Sequence, residues 1–292
     1  MEKRLGFGSN ETLPLSFCMI AKNEERELAR CFDSVRTIVN EFIVVDTGST
    51  DATVRIAADY GAKVISFDFT RVDFAAARNA AIEKASGRWI FMLDGDEQLA
   101  PENARKIRAL LGKNDNAGYF LERHNHASDS DVAVTDHVVR LFPNRKAYRY
   151  RGRVHETVDA SILAGGGRLI QTDICIEHNF VSNRESRRRK NHWYIDILKE
   201  EIAADPNDST RLDFLAAEYH QLEKFSEAAA VMEEIVRTRP RDARAWLFLG
   251  TYHLLYQNDA MRARKEFEKA LELRPGYPEA VSFLERMNRE QT

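Results

Sequence analysis

Up to about residue 112, apolar runs of strand length alternate with longer stretches of helical period, and no other feature narrows the possible folds as much. The runs Leu15 to Ala21, Glu41 to Asp46, Lys63 to Phe67 and Trp89 to Asp94 predict strands. The stretches Glu24 to Arg36, Asp51 to Tyr60, Phe74 to Ala85 and Pro101 to Leu111 predict helices. Strands that alternate with helices pair in parallel, because each helix carries the chain back across one face of the sheet. Ligands in such α/β sheets bind beyond the carboxyl ends of the strands, so the residues just past each strand are the ones to read for chemistry.

The pattern changes from Tyr119 to Glu177, where shorter β-rich pieces with Gly152 and Gly165-Gly166-Gly167 as turn signals predict an extension over the sheet. Arg184 to Ile202 predicts a long charged helix that ends before Asp205-Pro206. Behind it, Pro240 and Pro275 each close a helix pair. Leu212, Leu215, Ala216, Tyr219, Ala228, Met232 and Pro240 fall at the tetratricopeptide spacing. Trp246, Leu249, Gly250, Ala263, Phe267, Ala270 and Pro275 repeat it with one extra residue near Asn258. Small residues at 216, 228, 250 and 263 let paired helices approach closely, and Pro278 to Asn288 predicts a solvent-facing capping helix. The division expected is an α/β domain over 1–182, a linker helix over 183–205 and a tetratricopeptide-like array over 206–292.

The segment Arg88 to Glu97 is an apolar strand running into Asp94-Gly95-Asp96. Two carboxylates around a glycine at a strand's carboxyl end suit a hard divalent cation held against a diphosphate, and Gly95 permits close backbone approach. Asp-Gly-Asp also occurs in ordinary turns, so the strand context is what gives it weight. The strand ending in Asp46 leads into Thr47-Gly48-Ser49-Thr50-Asp51, with Ser49 or Thr50 expected as helix N-cap and Asp46 able to accept from a base N–H or a ribose hydroxyl.

Ala21-Lys22-Asn23-Glu24, Val45-Asp46 through Asp51, Ala77-Arg78-Asn79 and Leu93-Asp94-Gly95-Asp96 together resemble, in order and spacing, the family 2 glycosyltransferases of the GT-A fold. Bacterial members with C-terminal tetratricopeptide repeats are similar over nearly the whole chain, including Arg140-Leu-Phe, Gly152-x-Val-His155-Glu156 and Ile176-Glu-His178. The resemblance implies an inverting, metal-dependent transfer of a hexosyl or N-acetylhexosaminyl group from a nucleotide-diphosphate donor, a UDP-sugar being the expected one. It places Ala21, Lys22, Asn23, Glu24, Asp46, Arg78, Asp94 and Gly95 around the nucleotide-sugar, and assigns Mn²⁺ or Mg²⁺ to Asp96 and Asp94 with His178 completing the shell. Many members carry an aromatic where this chain has Lys22, so the stem of Lys22 would replace a stacking ring. For the general base the choice lies between Glu156 and its neighbour His155; on a strand only one of the two would face the cleft. A lone histidine such as His178 is more often structural, and His124, His126 and His137 read as surface or acceptor-loop residues.

The acceptor expected is a peptide, protein, lipid-linked or saccharide group, presented by the repeats, which could equally mediate a homodimer. A net charge of -3 gives no reason to expect nucleic acid. Cys18, Cys31 and Cys175 have no C-x-x-C spacing, so they point to neither a disulfide framework nor a zinc knuckle, and they fit a reducing cytoplasm. The apolar stretch Leu13 to Ala21 is too short to span a bilayer and predicts no transmembrane segment. The basic run from Arg184 to Lys190 could touch the inner face of a membrane, but nearby Glu185, Asp196, Glu200 and Glu201 favour a solvated helix face. Tyr148, Tyr150, Trp193 and Tyr194 could stack on sugars, although core packing claims such residues more often. Two other functions fit parts of the chain: a sugar-phosphate nucleotidyltransferase, which lacks its Gly-rich phosphate loop here, and a tetratricopeptide adaptor with a silent α/β domain.

Overall fold

The computed structural model describes residues 15–127, 134–180, 184–206 and 208–289. The chain forms two compact units, residues 1–183 and 184–292.

In the first unit, strand β1 (Leu15–Ala21) is buried along nearly its whole length and lies between two parallel neighbours, β2 (Glu41–Asp46) and β4 (Trp89–Met92). Strand β3 (Lys63–Ser66) extends the parallel set beyond β2. The crossovers are helices α1 (Leu28–Val35), α2 (Thr53–Asp59) and α3 (Phe74–Lys84). Helix α1 buries Leu28, Cys31, Phe32 and Val35, the spacing of a single helix face. It starts four residues later than the sequence predicts: the backbone N–H groups of residues 23–25 bond to Ser49, Thr53 and Asp51, and the chain then makes a turn in which the Glu27 and Leu28 N–H groups donate to the Glu24 carbonyl before α1 begins.

After β4 the chain makes a short strand β5 (Glu97–Leu99) and helix α4 (Pro101–Leu110). Long strands β6 (Ala117–Ala127) and β7 (Val134–Pro143), helix α5 (Asp159–Ala164) and strand β8 (Arg168–Phe180) form the extension. The sheet order is β3-β2-β1-β4-β7-β6-β8-β5, antiparallel at β4–β7, β6–β7 and β5–β8 and parallel at β6–β8. Four residues separate β4 from β5 in sequence, yet β5 lies at the far edge, paired to β8, so the extension from β7 to β8 carries the sheet round until edge strand β5 comes back within the span of Leu93 to Asp96 from β4.

The second unit begins with α6 (Arg184–Ala204), which packs on α7 (Ser209–Gln221). Helices α8 (Phe225–Thr238), α9 (Ala243–Leu255), α10 (Ala260–Leu273) and α11 (Pro278–Arg289) follow. Asp208, Asp242 and Asp259 cap α7, α9 and α10 by accepting backbone N–H groups. Pro240 and Pro275 stand just beyond the ends of α8 and α10, where a proline cannot continue a helix. Ala216, Ala228 and Ala263 are buried, and a Cβ on Gly250 would lie 2.7 Å from the Phe267 ring. Helix α11 is not wholly solvent-facing: Ala280 and Met287 are buried and Phe283 stacks on Phe267 with ring centroids 4.8 Å apart. No described helix is long and apolar enough to cross a membrane.

Candidate active site

The ends of β1, β2 and β4 and the start of β5 converge on one cluster of charge. Asn23, in the left-handed backbone region at φ 58, joins the loops after β1 and β2. Its backbone N–H donates to Ser49 Oγ, and its Oδ1 accepts from Thr50 N–H at 2.8 Å. Glu24 N–H donates to Thr53 Oγ1 at 2.7 Å, and Glu25 N–H to Asp51 Oδ2. Neither Ser49 nor Thr50 caps α2, because the N-cap position falls at Ala52, which offers no side-chain acceptor; Asp51 just before it accepts from Thr53 N–H and from its hydroxyl. Asp46, nearly buried, is oriented by the N–H groups of Gly48 and Ser49. Ala21 is buried and Lys22 is exposed.

Asp94 is gripped from two sides. Arg78 Nη2 from α3 donates to its Oδ1 at 2.8 Å, and Arg140 Nη2 from β7 donates to its Oδ2 at 2.7 Å. Although burial alone would raise the Asp94 pKa, the two guanidinium groups hold the carboxyl far below the ordinary carboxylate range. Arg140 also donates to Glu97 Oε1 at 2.6 Å, and Glu97, fully buried, accepts from Asp94 N–H at 3.0 Å. Arg78 Nε reaches Glu156 Oε1 at 2.7 Å, so one buried arginine ties the β4 end to the loop bearing Glu156.

Asp96 meets β8. Its Oδ2 lies 3.2 Å from His178 Nε2, while His178 Nδ1 lies 2.7 Å from Asn125 Oδ1. Burial opposes the charged imidazole of His178, but its bond to Asp96 and the charges of Asp96 and Glu97 raise its pKa. Gly95 is required by close approach: a Cβ there would lie 2.6 Å from Glu24 Cγ. Burial, then the charges of Asp96, Asp94 and Asp51, push the Glu24 carboxyl up to about 7. Negative charge here exceeds what the nearby cations balance, which is an environment suited to a divalent ion.

The structure therefore brings Asn23, Glu24, Asp46, Arg78, Asp94, Gly95, Asp96, Glu156 and His178 to one end of the sheet. His155 and Glu156 do not lie on a strand, so the expectation that they face opposite sides does not apply. They sit in a bend closed by the Arg151–Thr157 bridge, with His155 at φ 49. Arg140, Glu97 and Asn125 also belong to the cluster. The Arg140-Leu-Phe motif carried a signal for the first; β5 and the β6–β8 register, which place the other two, leave no comparable mark in the sequence. Tyr148 and Tyr150 are core residues, with the Arg78 guanidinium 5.4 Å from the Tyr150 ring centroid. In the basic run of α6, Arg187, Arg188, Arg189 and Lys190 are exposed, with Arg189 paired to Glu185 one turn away.

The family description "Glycosyl transferase family 2" matches residues 16–178. A TPR repeat-containing protein of Synechococcus elongatus is 40% identical over 150 residues, 51% of this chain and 36% of that protein. The SPbeta prophage-derived glycosyltransferase SunS of Bacillus subtilis is 26% identical over 242 residues, 79% of this chain and 55% of that protein. The chain thus spans about half or less of the length of these relatives. Among solved structures, S. aureus TarS 1-349 in complex with UDP-GlcNAc shares the fold at a TM-score of 0.54 and 13% identity, over 89% of this chain and 91% of that one.

Proposed function

Because the chain belongs to glycosyl transferase family 2, we propose that it moves a sugar from a nucleotide-diphosphate donor, a UDP-sugar, to an acceptor group with inversion at the anomeric carbon. The observation that carries this reading is the meeting of Asp96 and His178 at 3.2 Å beside Glu24, at the strand ends where Asp46 also lies. The UDP-GlcNAc bound by TarS and the sugar-transferring relative SunS support the donor class.

The donor set fits Mn²⁺ or Mg²⁺. Asp96 offers a hard oxygen and His178 a nitrogen, and two protein ligands leave the remaining positions to diphosphate oxygens and water, as nucleotide-bound ions of this kind require. Asp94 has both oxygens engaged by arginines, so Asp96 is the carboxylate we assign to direct contact. The ion would supply neutralisation of the charge that develops on the departing diphosphate. Asp46, fixed by its two N–H donors, would accept from the base or ribose, and Lys22 would lie along the nucleoside. Glu156 is our choice of general base over His155: Arg78 holds its Oε1, and the carboxylate would take the acceptor proton as the new bond forms. The acceptor, a peptide, protein, lipid-linked or saccharide group, would be recruited by the helical repeats.

The test is thermal stability with Mn²⁺ and a panel of UDP, GDP and dTDP nucleotides, since a ligand of the native state raises the melting temperature. A metal-dependent rise with UDP is expected in the wild type and its loss in Asp96→Ala, with transfer abolished and the unliganded melting temperature retained. Transfer at the wild-type rate by Asp96→Ala would refute the metal assignment.

A further inference from the structure

On strands β6 and β8, residues alternate between two faces. Arg123 and Asn125 face Glu97 and His178 on the side already described. Glu122, His124 and His126 occupy the other side, opposite Cys175 and Glu177 of β8 in the register Glu122↔Cys175 and His124↔Glu177. An irregularity between Phe120 and Glu122 sets that register, two steps along β6 matching four along β8. It brings Glu122 and Cys175 directly across from one another.

The ligand atoms are close. Cys175 Sγ lies 3.5 Å from Glu122 Oε2, and His124 Nε2 lies 3.7 Å from the same oxygen; one atom from each of the three residues falls within 4.8 Å of the others. It is the one such group found among the described residues. The other nitrogen of His124 is already anchored: Nδ1 lies 3.1 Å from Glu177 Oε1, and Glu177 Oε2 is 2.6 Å from His126 Nε2. A carboxylate on the far nitrogen is the arrangement that fixes the tautomer and aim of a metal-binding histidine. On β8, the Cys175 carbonyl accepts from the buried Asn103 side chain at 3.0 Å, which pins the cysteine backbone to α4.

We propose that Glu122, His124 and Cys175 form a second metal site, back to back with the Asp96–His178 pair and selective for zinc. One sulfur, one nitrogen and one oxygen ligand suit Zn²⁺ over the hard ions expected at Asp96, and water would fill a fourth position. Cys175 binds as the thiolate, releasing its proton on coordination. A metal here ties β6 to β8 beside Glu177, whose neighbour His178 points to the opposite face. It would hold the two strands that position His178 and Asn125.

The site is independent of the nucleotide, so the full chain is stripped with a chelator and titrated with Co²⁺ and Zn²⁺ in the absence of donor. The wild type is expected to show a thiolate-to-cobalt charge-transfer band that Zn²⁺ abolishes. Cys18 and Cys31, both fully buried, do not compete. Asp96→Ala keeps the band, Cys175→Ser loses it, and Glu177→Gln weakens zinc binding about 10- to 100-fold. Melting curves of the metal-free variants check that they fold. No band in the wild type, a band that survives in Cys175→Ser, or one lost in Asp96→Ala would each overturn the proposal.

Discussion

At the scale of single residues, the charge balance around Asp94 decides what the site tolerates. Arg140 is buried and compensates two carboxylates, Asp94 and the fully buried Glu97. Arg140→Met keeps most of the volume but leaves both carboxylates short of a cation, and breaking a buried pair in this way costs about 3–5 kcal/mol. Urea denaturation should show that loss, and a change below about 1 kcal/mol would mean that Arg123 already neutralises Glu97. Asp46, Arg78, Asp94 and Asp96 were legible in the sequence because each sits at or near a strand end or in a short motif. That Arg78 and Arg140 both pair with Asp94 was not, since they lie 16 and 46 residues away and no local pattern encodes that distance. His178 could be named from its motif, but its bond to Asn125 depends on the β6–β8 register.

At the scale of elements, Glu41 fastens the start of β2 to its surroundings. It accepts from Ser16 Oγ of β1, from Lys63 Nζ of β3, and from the N–H and hydroxyl of Ser86 in the turn before β4. Burial opposes ionisation, yet these hydrogen bonds bring the carboxyl down to about 2. A carboxyl with a depressed folded-state pKa stabilises the protein above its unfolded value near 4.5 and loses that contribution as pH falls toward 2. Glu41→Gln should therefore destabilise the first unit by about 1–3 kcal/mol at neutral pH, with the gap to wild type narrowing over that acidic window. Equal stability at pH 7 would refute it. In the helical unit, Gly250→Val would drive two γ-methyls toward the Phe267 ring, since a Cβ alone comes within 2.7 Å. Overpacking of this kind costs about 1–3 kcal/mol, to be read as a lower melting temperature. Helices and core strands were legible to within a few residues because helix burial is periodic and the core strands are continuous apolar runs. Strand β5 was not, because three residues give no period to read.

At the scale of the whole molecule, each unit has a buried core of its own: the first on both faces of its sheet, the second around Phe267. Residues 1–183 alone should fold and keep the metal-dependent thermal shift with UDP, while transfer to the natural acceptor falls. Loss of the nucleotide response in that fragment would assign part of the donor site to the repeats. The α/β order of elements and the repeat spacing were open to reading, whereas the curl of the sheet was not, because it rests on pairings between strands distant in sequence. That curl has a temporal consequence. Asp96 and His178 stand 82 residues apart in the chain and meet only when β8 docks against β5. Closing so long a loop belongs to the slow, late part of folding, and during synthesis the N-terminal strands emerge first. A growing chain therefore has the loops after β1 and β2 before Asp96 and His178 are brought together, and the end of the sheet where both lie is among the last parts of the first unit to form.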